Sequence, residues 1–289
     1  MIENSLKNIQ AEEIRMLEIF KAICEKYQLR YFAIGGTCIG AIRHQGFIPW
    51  DDDIDVGMPY EDYRRFREVA PRELPAPYAL LDPAKERYCD FDFLKIHNTE
   101  TTFIEAKNRP FKSRYSGVFI DIMPICGTAP GMGLKTMKRT NLLLKKNRSL
   151  RFSFNRYKKL QARLLYLATL PVRLLKPWHY YTDKIEDIMG AVPFEAGENV
   201  LLAWREVPLF KAPQKRIDRL VMPTAYFDGY QEMPFEDTTI RVPRDYDSYL
   251  TRDFGDYMTL PPEDQRVTVH PGALIDLNRS YVSYREENL

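Results

Sequence analysis

Residues 34–63 read IGGTCIGAIRHQGFIPWDDDIDVGMPYEDY. Two features of this stretch decide how the chain is read. Gly35-Gly36-Thr37 follows an apolar run over 31–34, a strand candidate, and precedes 38–43, a candidate short helix. Glycine lets a backbone approach a phosphate closely, and a helix N-terminus offers free N–H groups. Further on, Asp51, Asp52, Asp53 and Asp55 place four carboxylates in five residues. The alternation over 53–58 predicts a strand, on which positions i and i+2 share a face. Asp53 and Asp55 then point the same way, and Asp51 joins them if the strand starts early. Converging carboxylates repel, and each raises the pKa of the other. A hard cation removes that conflict: Mg²⁺, or Mn²⁺, takes oxygen ligands and leaves positions open for substrate phosphates. The bland alternatives are a solvated acidic turn and an ordinary tight Gly-Gly turn.

Together, a Gly-Gly turn and a D-x-D about seventeen residues later form the signature of a nucleotidyltransferase-type fold. A third carboxylate is expected on a neighbouring strand. Asp121, within GVFIDIM over 117–123, is the candidate, since an acid amid apolar strand residues is costly to bury unless paired or metal-bound. Arg43 and His44 precede the acidic loop and are read either as phosphate contacts or as a surface pair. Lys95 alternates with apolar neighbours, as a phosphate contact or a structural salt bridge; His97 is a weaker candidate. Trp50 adjoins the acids as a stacking wall or as loop packing. Asp256 and His270 are read as fold-locking at least as readily as catalytic.

Outside this region the pattern is mixed. A helix is predicted over 3–28 from Ile9, Ile14, Leu17, Phe20, Ile23 and Cys24. Pro59 is expected to open a helix carrying Tyr63 and Phe66. A proline-rich connection fills 71–87. Residues 91–97 and 101–105 are predicted to pair as strands, 117–123 to form another, and 183–192 a helix. Beyond 205 short strands are expected over 207–210, 233–235 and 239–242, then a helix over 245–254. The class is α+β: a mixed sheet flanked by helices, with a basic helical insertion. The expected divisions are a catalytic core over 1–126, a basic segment over 127–192 and a completing part over 193–289.

The 289 residues are 45% hydrophobic and 28% charged, in the range of a globular protein. No run of 18 apolar residues is present, and the opening MIENSLKNIQAEEIR is unlike a signal peptide. Cys24, Cys38, Cys89 and Cys126 form no C-x-x-C pair, which argues against a zinc ribbon or a disulfide framework. A cytoplasmic protein is expected. The net charge of +2 hides an asymmetry: no Asp or Glu falls between Asp121 and Asp183, while thirteen Lys and Arg lie between Lys135 and Lys176. Segregation on that scale points to an anionic partner. The leucine-rich piece 160–176 fits an amphipathic helix lying on anionic lipid. The competing reading is a helical subdomain with its cations in water. No recognition motif accompanies the charge, so nucleic acid is not expected.

The run 34–63 strongly resembles the LicD family of bacterial phosphotransferases, related to the fukutin group. The resemblance extends through FLKIHN (93–98), through 117–124, and through FEDTTIRVPRDYDSYLTRDFGDYMTLPPEDQRVTVHP (235–271). It covers most of the chain except the basic middle, and no cysteine-rich zinc element of the animal relative is present. The resemblance implies a nucleotidyltransferase-type fold. It also implies Mg²⁺-dependent transfer of a phosphorylated small alcohol, phosphocholine or similar, from a CDP-activated donor to a hydroxyl of a glycan or lipid-linked glycan acceptor. By the same resemblance Asp53 and Asp55 are the metal pair and Asp121 the third acid; the chemistry of the transfer suggests a second role for Asp121, as general base on the sugar hydroxyl. Gly35, Gly36 and Thr37 would, by that resemblance, face the donor phosphates; Arg43, His44, Trp50 and Lys95 stay the donor-contact candidates read from the residues, with the alternatives given above. Two other readings are a nucleotidyltransferase that uses an NTP and releases pyrophosphate, and a non-catalytic membrane-associated assembly factor.

Overall fold

A helix opens the chain because apolar side chains recur at three- and four-residue spacing. In the computed structural model α1 spans Ile2–Lys26 and buries Ile9, Met16, Leu17, Phe20, Ile23 and Cys24. It ends where Gln28 takes a left-handed φ of 54° and Leu29 N–H bonds the Cys24 carbonyl, closing the last turn. The structure describes residues 2–86, 91–109, 112–151, 164, 167, 168, 170–177, 179–202 and 219–286. These fall into two units that interleave along the chain.

The first unit comprises 1–81, 93–124 and 225–289. Its sheet runs β1-β2-β6-β4-β3, with β1 at Phe32–Ala33, β2 at Asp55–Pro59, β3 at Tyr78–Leu81, β4 at Leu94–Asn98 and β6 beginning at Phe119. β1 and β2 are antiparallel (Ala33 opposite Val56), as are β3 and β4 (Leu80 opposite Ile96) and β4 and β6 (Lys95 opposite Asp121). Between β1 and β2 lies α2, Gly35–His44, closed by Gln45 at φ 56°. α3, Tyr60–Glu73, follows directly from Pro59, which sits at its N-cap as the sequence predicts. Phe20 packs against both Tyr31 and Phe66, tying α1 to the sheet and to α3.

Two expectations are corrected here. β2 begins at Asp55, two residues later than the alternation suggests. The aspartates before it lie in a loop, because side-chain bonds to Asp52 and a turn from Asp51 N–H to the Ile48 carbonyl hold the chain away from strand pairing. The second correction concerns β5, Thr102–Ile104, which does not pair with β4. Its partner is β11, Leu274–Asp276, far along the chain, while β4 takes β3 and β6. The unit also holds the hairpin β9 (Tyr230–Phe235) and β10 (Thr238–Pro243). The helix predicted over 245–254 forms at Tyr246–Phe254, with Asp245 as its N-cap accepting from Ser248 N–H.

The second unit comprises 82–92 and 125–224. There β6 continues to Thr128 and pairs antiparallel with β7 (Asn199–Leu202), which pairs with β8 (Val221–Pro223). α4 (Gly133–Arg151) buries Met137 and Leu144, and the helix predicted over 183–192 forms at Tyr180–Met189, burying Tyr181, Ile185 and Met189. These two helices pack together, with Thr182 donating to Asn147 Oδ1 at 3.2 Å. Lys135, Lys138 and Arg139 point to solvent. A short helix, Leu170–Leu175, lies between them in sequence. The strand expected over 207–210 and much of the piece 160–176 lie outside the described residues.

Candidate active site

The loop between α2 and β2 carries the acids. Asp51 and Asp52 are buried and Asp53 is half-buried. One carboxylate oxygen from each lies within 4.8 Å of the others, a grouping that could hold a metal ion. Two elements bond the loop and a third lies close against it. From α1, Gln10 Nε2 donates to the Asp51 carbonyl at 2.9 Å. From the C-terminal segment, Thr268 donates its hydroxyl to Asp52 Oδ2, and His270 Nδ1 stands 3.2 Å from Asp52 Oδ1. From α2, Gly36 has its backbone so close that a Cβ there would lie 2.5 Å from Asp51 Oδ2.

Electrostatics divides the acids. Burial pushes the Asp51 carboxyl up to about 7, reinforced by Asp55 and Asp52. Burial also raises Asp53, with Asp51 adding to the effect. Burial alone would raise Asp52, but the bonds from His270 and Thr268 hold it below its ordinary value. His270 moves the other way: burial opposes its charge, yet Asp52, Asp53 and Glu105 raise its pKa. Asp121 is buried and raised by desolvation, against the pull of Lys95 Nζ 2.7 Å away. All the donors are carboxylate oxygens, the chemistry a hard divalent cation selects. A further carboxylate oxygen, Oε2 of Glu13 on α1, is buried without a hydrogen-bond partner. The residues present therefore fit a cation.

The other predicted residues are distributed as follows. Asp55 lies on β2 outside the group of three, with its N–H donating to Thr37 Oγ1 at 2.8 Å. Gly35 has φ +59°, donates its N–H to the Tyr249 hydroxyl at 2.9 Å, and faces Asp55 Oδ2. Arg43 donates from Nε to His44 Nε2 at 2.9 Å and from Nη1 to the Tyr257 carbonyl at 2.6 Å, so Arg43 links His44 to the C-terminal segment. The Arg266 guanidinium stands 5.8 Å from the Trp50 ring. Lys95 forms the ion pair with Asp121 and lies 3.5 Å from the Phe119 ring centroid. Burial lowers His97 to about 4, and it accepts from Gly117 N–H at 3.4 Å. Asp256 caps its own loop by accepting from the Thr259 hydroxyl at 2.6 Å.

Three residues at the site escaped the sequence reading: Gln10, Glu13 and Thr268. Glu13 did leave a signal, since it falls in the apolar stripe of α1, four residues from both Ile9 and Leu17.

The family described as LicD/FKTN/FKRP, nucleotidyltransferase domain, matches residues 28–166. The chain is 30% identical over 268 residues to the lipopolysaccharide cholinephosphotransferase LicD of Haemophilus influenzae, covering 92% of this chain and 96% of that protein. It is 28% identical over 92 residues to the human ribitol 5-phosphate transferase FKRP, covering 32% of this chain and 19% of that one. With similarity to a LicD protein running nearly end to end, the chain belongs to the LicD family.

Proposed function

We propose that the chain transfers a phosphorylated small alcohol, phosphocholine or a related group, from a CDP-activated donor to a hydroxyl of a cell-surface glycan precursor. The observation that carries this reading is the loop Asp51–Asp53, bonded by α1 and by the C-terminal segment, in a chain so similar to a cholinephosphotransferase. Asp51 and Asp53 would hold a divalent cation, Mg²⁺ or Mn²⁺. The cation would neutralise the donor diphosphate and polarise the transferred phosphoryl group. Asp52, bonded to Thr268 and His270, orients the loop, so the neighbouring carboxylates keep their aim. Asp55 and Asp121 complete the acidic surround, and Asp121 is the candidate to accept the acceptor hydroxyl's proton. Its pairing with Lys95 keeps a buried charge in place for that role. His270, with its raised pKa, supplies a positive charge beside the aspartates.

The assay is release of CMP from CDP-choline, CDP-ethanolamine, CDP-glycerol and CDP-ribitol with Mg²⁺, read by mass spectrometry. One donor should yield CMP, and Asp53→Asn should abolish it. Pyrophosphate from an NTP, with no CMP from any donor, would overturn the reading in favour of a nucleotidyltransferase.

We also propose that the second unit docks on anionic lipid. Leu174 and Leu175, 84% and 79% exposed, sit beside Lys176 and leave apolar surface next to a cation. Among the described residues no helix is long and apolar enough to cross a membrane. Flotation with phosphatidylglycerol vesicles should bring the protein up, and Leu174→Glu/Leu175→Glu should leave it at the bottom. Equal flotation of both would refute the docking.

A further inference from the structure

Glu12 and Glu13 are sequence neighbours with opposite surroundings. Glu12 Oε1 accepts from Asn98 Nδ2 at 2.6 Å and from the Tyr78 hydroxyl at 3.0 Å, while Oε2 pairs with Arg15 at 2.8 Å. Glu13 lies on the buried stripe of the same helix, is 1% exposed, and has Oε2 without a hydrogen-bond partner. A buried carboxylate oxygen left unpaired is costly, and native proteins rarely tolerate it without a reason.

The helix face that carries Glu13 meets the aspartate loop. One turn before Glu13, Gln10 bonds the Asp51 carbonyl. Burial, then the charges of Asp53, Asp52, Asp51 and Asp121, hold the Glu13 carboxyl well above its ordinary range. Asp52 has His270 beside it and Asp121 has Lys95. Glu13 also lies outside residues 28–166, the part matched by the family.

We propose that Glu13 is a further ligand of the divalent cation, reaching the aspartate loop from α1 and closing the inner side of the site. This rests on the cation reading given above. A ligand from α1 couples the first helix of the chain to cation binding, so loading the site also fastens that helix to the loop. The apolar stripe around Glu13 keeps its carboxylate fixed and dry, which strengthens its hold on a cation.

The test is Mn²⁺ binding to the purified full-length protein, read by the loss of the free-ion electron paramagnetic resonance signal, with thermal melting in chelator and in Mn²⁺ as a second readout. Glu13→Gln removes the charge and keeps the volume. Its dissociation constant should rise about tenfold to hundredfold, and Mn²⁺ should raise its melting temperature less than that of wild type. Glu12→Gln should bind Mn²⁺ as wild type does. If wild type binds, Asp53→Asn does not, and Glu13→Gln stays within threefold of wild type, the role of Glu13 falls while the cation reading stands. If wild type binds no Mn²⁺ at millimolar concentration, both fall. Should Glu13→Gln not fold, Glu13→Asp replaces it: withdrawing a ligating carboxylate by one methylene weakens binding, and withdrawing one that never touches the ion leaves affinity unchanged.

Discussion

Gly36→Ala separates the site from the fold. Gly36 occupies the first turn of α2, where alanine is favoured over glycine by roughly 0.5–1 kcal/mol. A Cβ built there lies 2.5 Å from Asp51 Oδ2, so the carboxylate must retreat by roughly 0.9 Å to reach the 3.4 Å of ordinary contact. The obstructing atom is the end of a side chain, so the fold can yield cheaply. Asp51 cannot yield without leaving its position in the group of three. A misplacement near 1 Å costs catalysis on the order of a hundredfold, about 2.7 kcal/mol on the barrier. The expected result is unchanged or slightly raised stability in urea, with CMP release down about a hundredfold and Mn²⁺ affinity reduced. Gly40→Ala gives the contrast: its Cβ would run into the backbone carbonyl of Gly46, so that variant should lose stability. If Gly36→Ala turns over within threefold of wild type while folded, the close approach of α2 to Asp51 has no functional weight, and the argument is wrong.

Other outcomes follow from the same contacts. Asp51, raised by burial to about 7, keeps its proton in the fold over a range where the unfolded chain has lost it. That stabilisation is lost as pH rises from about 4 to 7, so melting in chelator should decline across this window, and saturating Mn²⁺ should flatten the decline. A flat metal-free profile would contradict the raised value. Lys95→Met leaves the buried Asp121 carboxylate unpaired and should cost about 3–5 kcal/mol by chemical denaturation, with Asp121→Leu restoring much of it. Tyr249→Phe strands the Gly35 N–H and should cost about 1–3 kcal/mol; no change would mean that water or a shift of α2 satisfies it.

Much of the fold was legible because its signals are local. The stripe of α1, Pro59 before α3 and Asp245 before its helix each specify an element from a few adjacent residues. The partner of β5 was not legible, since the candidates for pairing were close in sequence and the true strand is at 274–276. The site was legible as composition more than as geometry. Four aspartates in five residues announce a charge problem, but strand alternation grouped Asp53 with Asp55, whereas the loop brings together Asp51, Asp52 and Asp53.

The sequence by itself determined the α+β class, the acidic loop as the candidate site, and the basic character of the second unit, because periodicity and charge are properties of neighbours along the chain. Tertiary structure decided what each charged group does. Lys95 balances Asp121 because β4 and β6 lie side by side in register. Arg43 engages the segment near Tyr257, and His270 reaches Asp52 across more than two hundred residues. Glu13 keeps a buried carboxylate oxygen without a hydrogen-bond partner, while Glu12, one residue away, is bonded to Asn98 and Tyr78. A carboxylate's role follows from which charges and donors lie within a few ångströms once water is excluded, and only the folded chain assembles that neighbourhood.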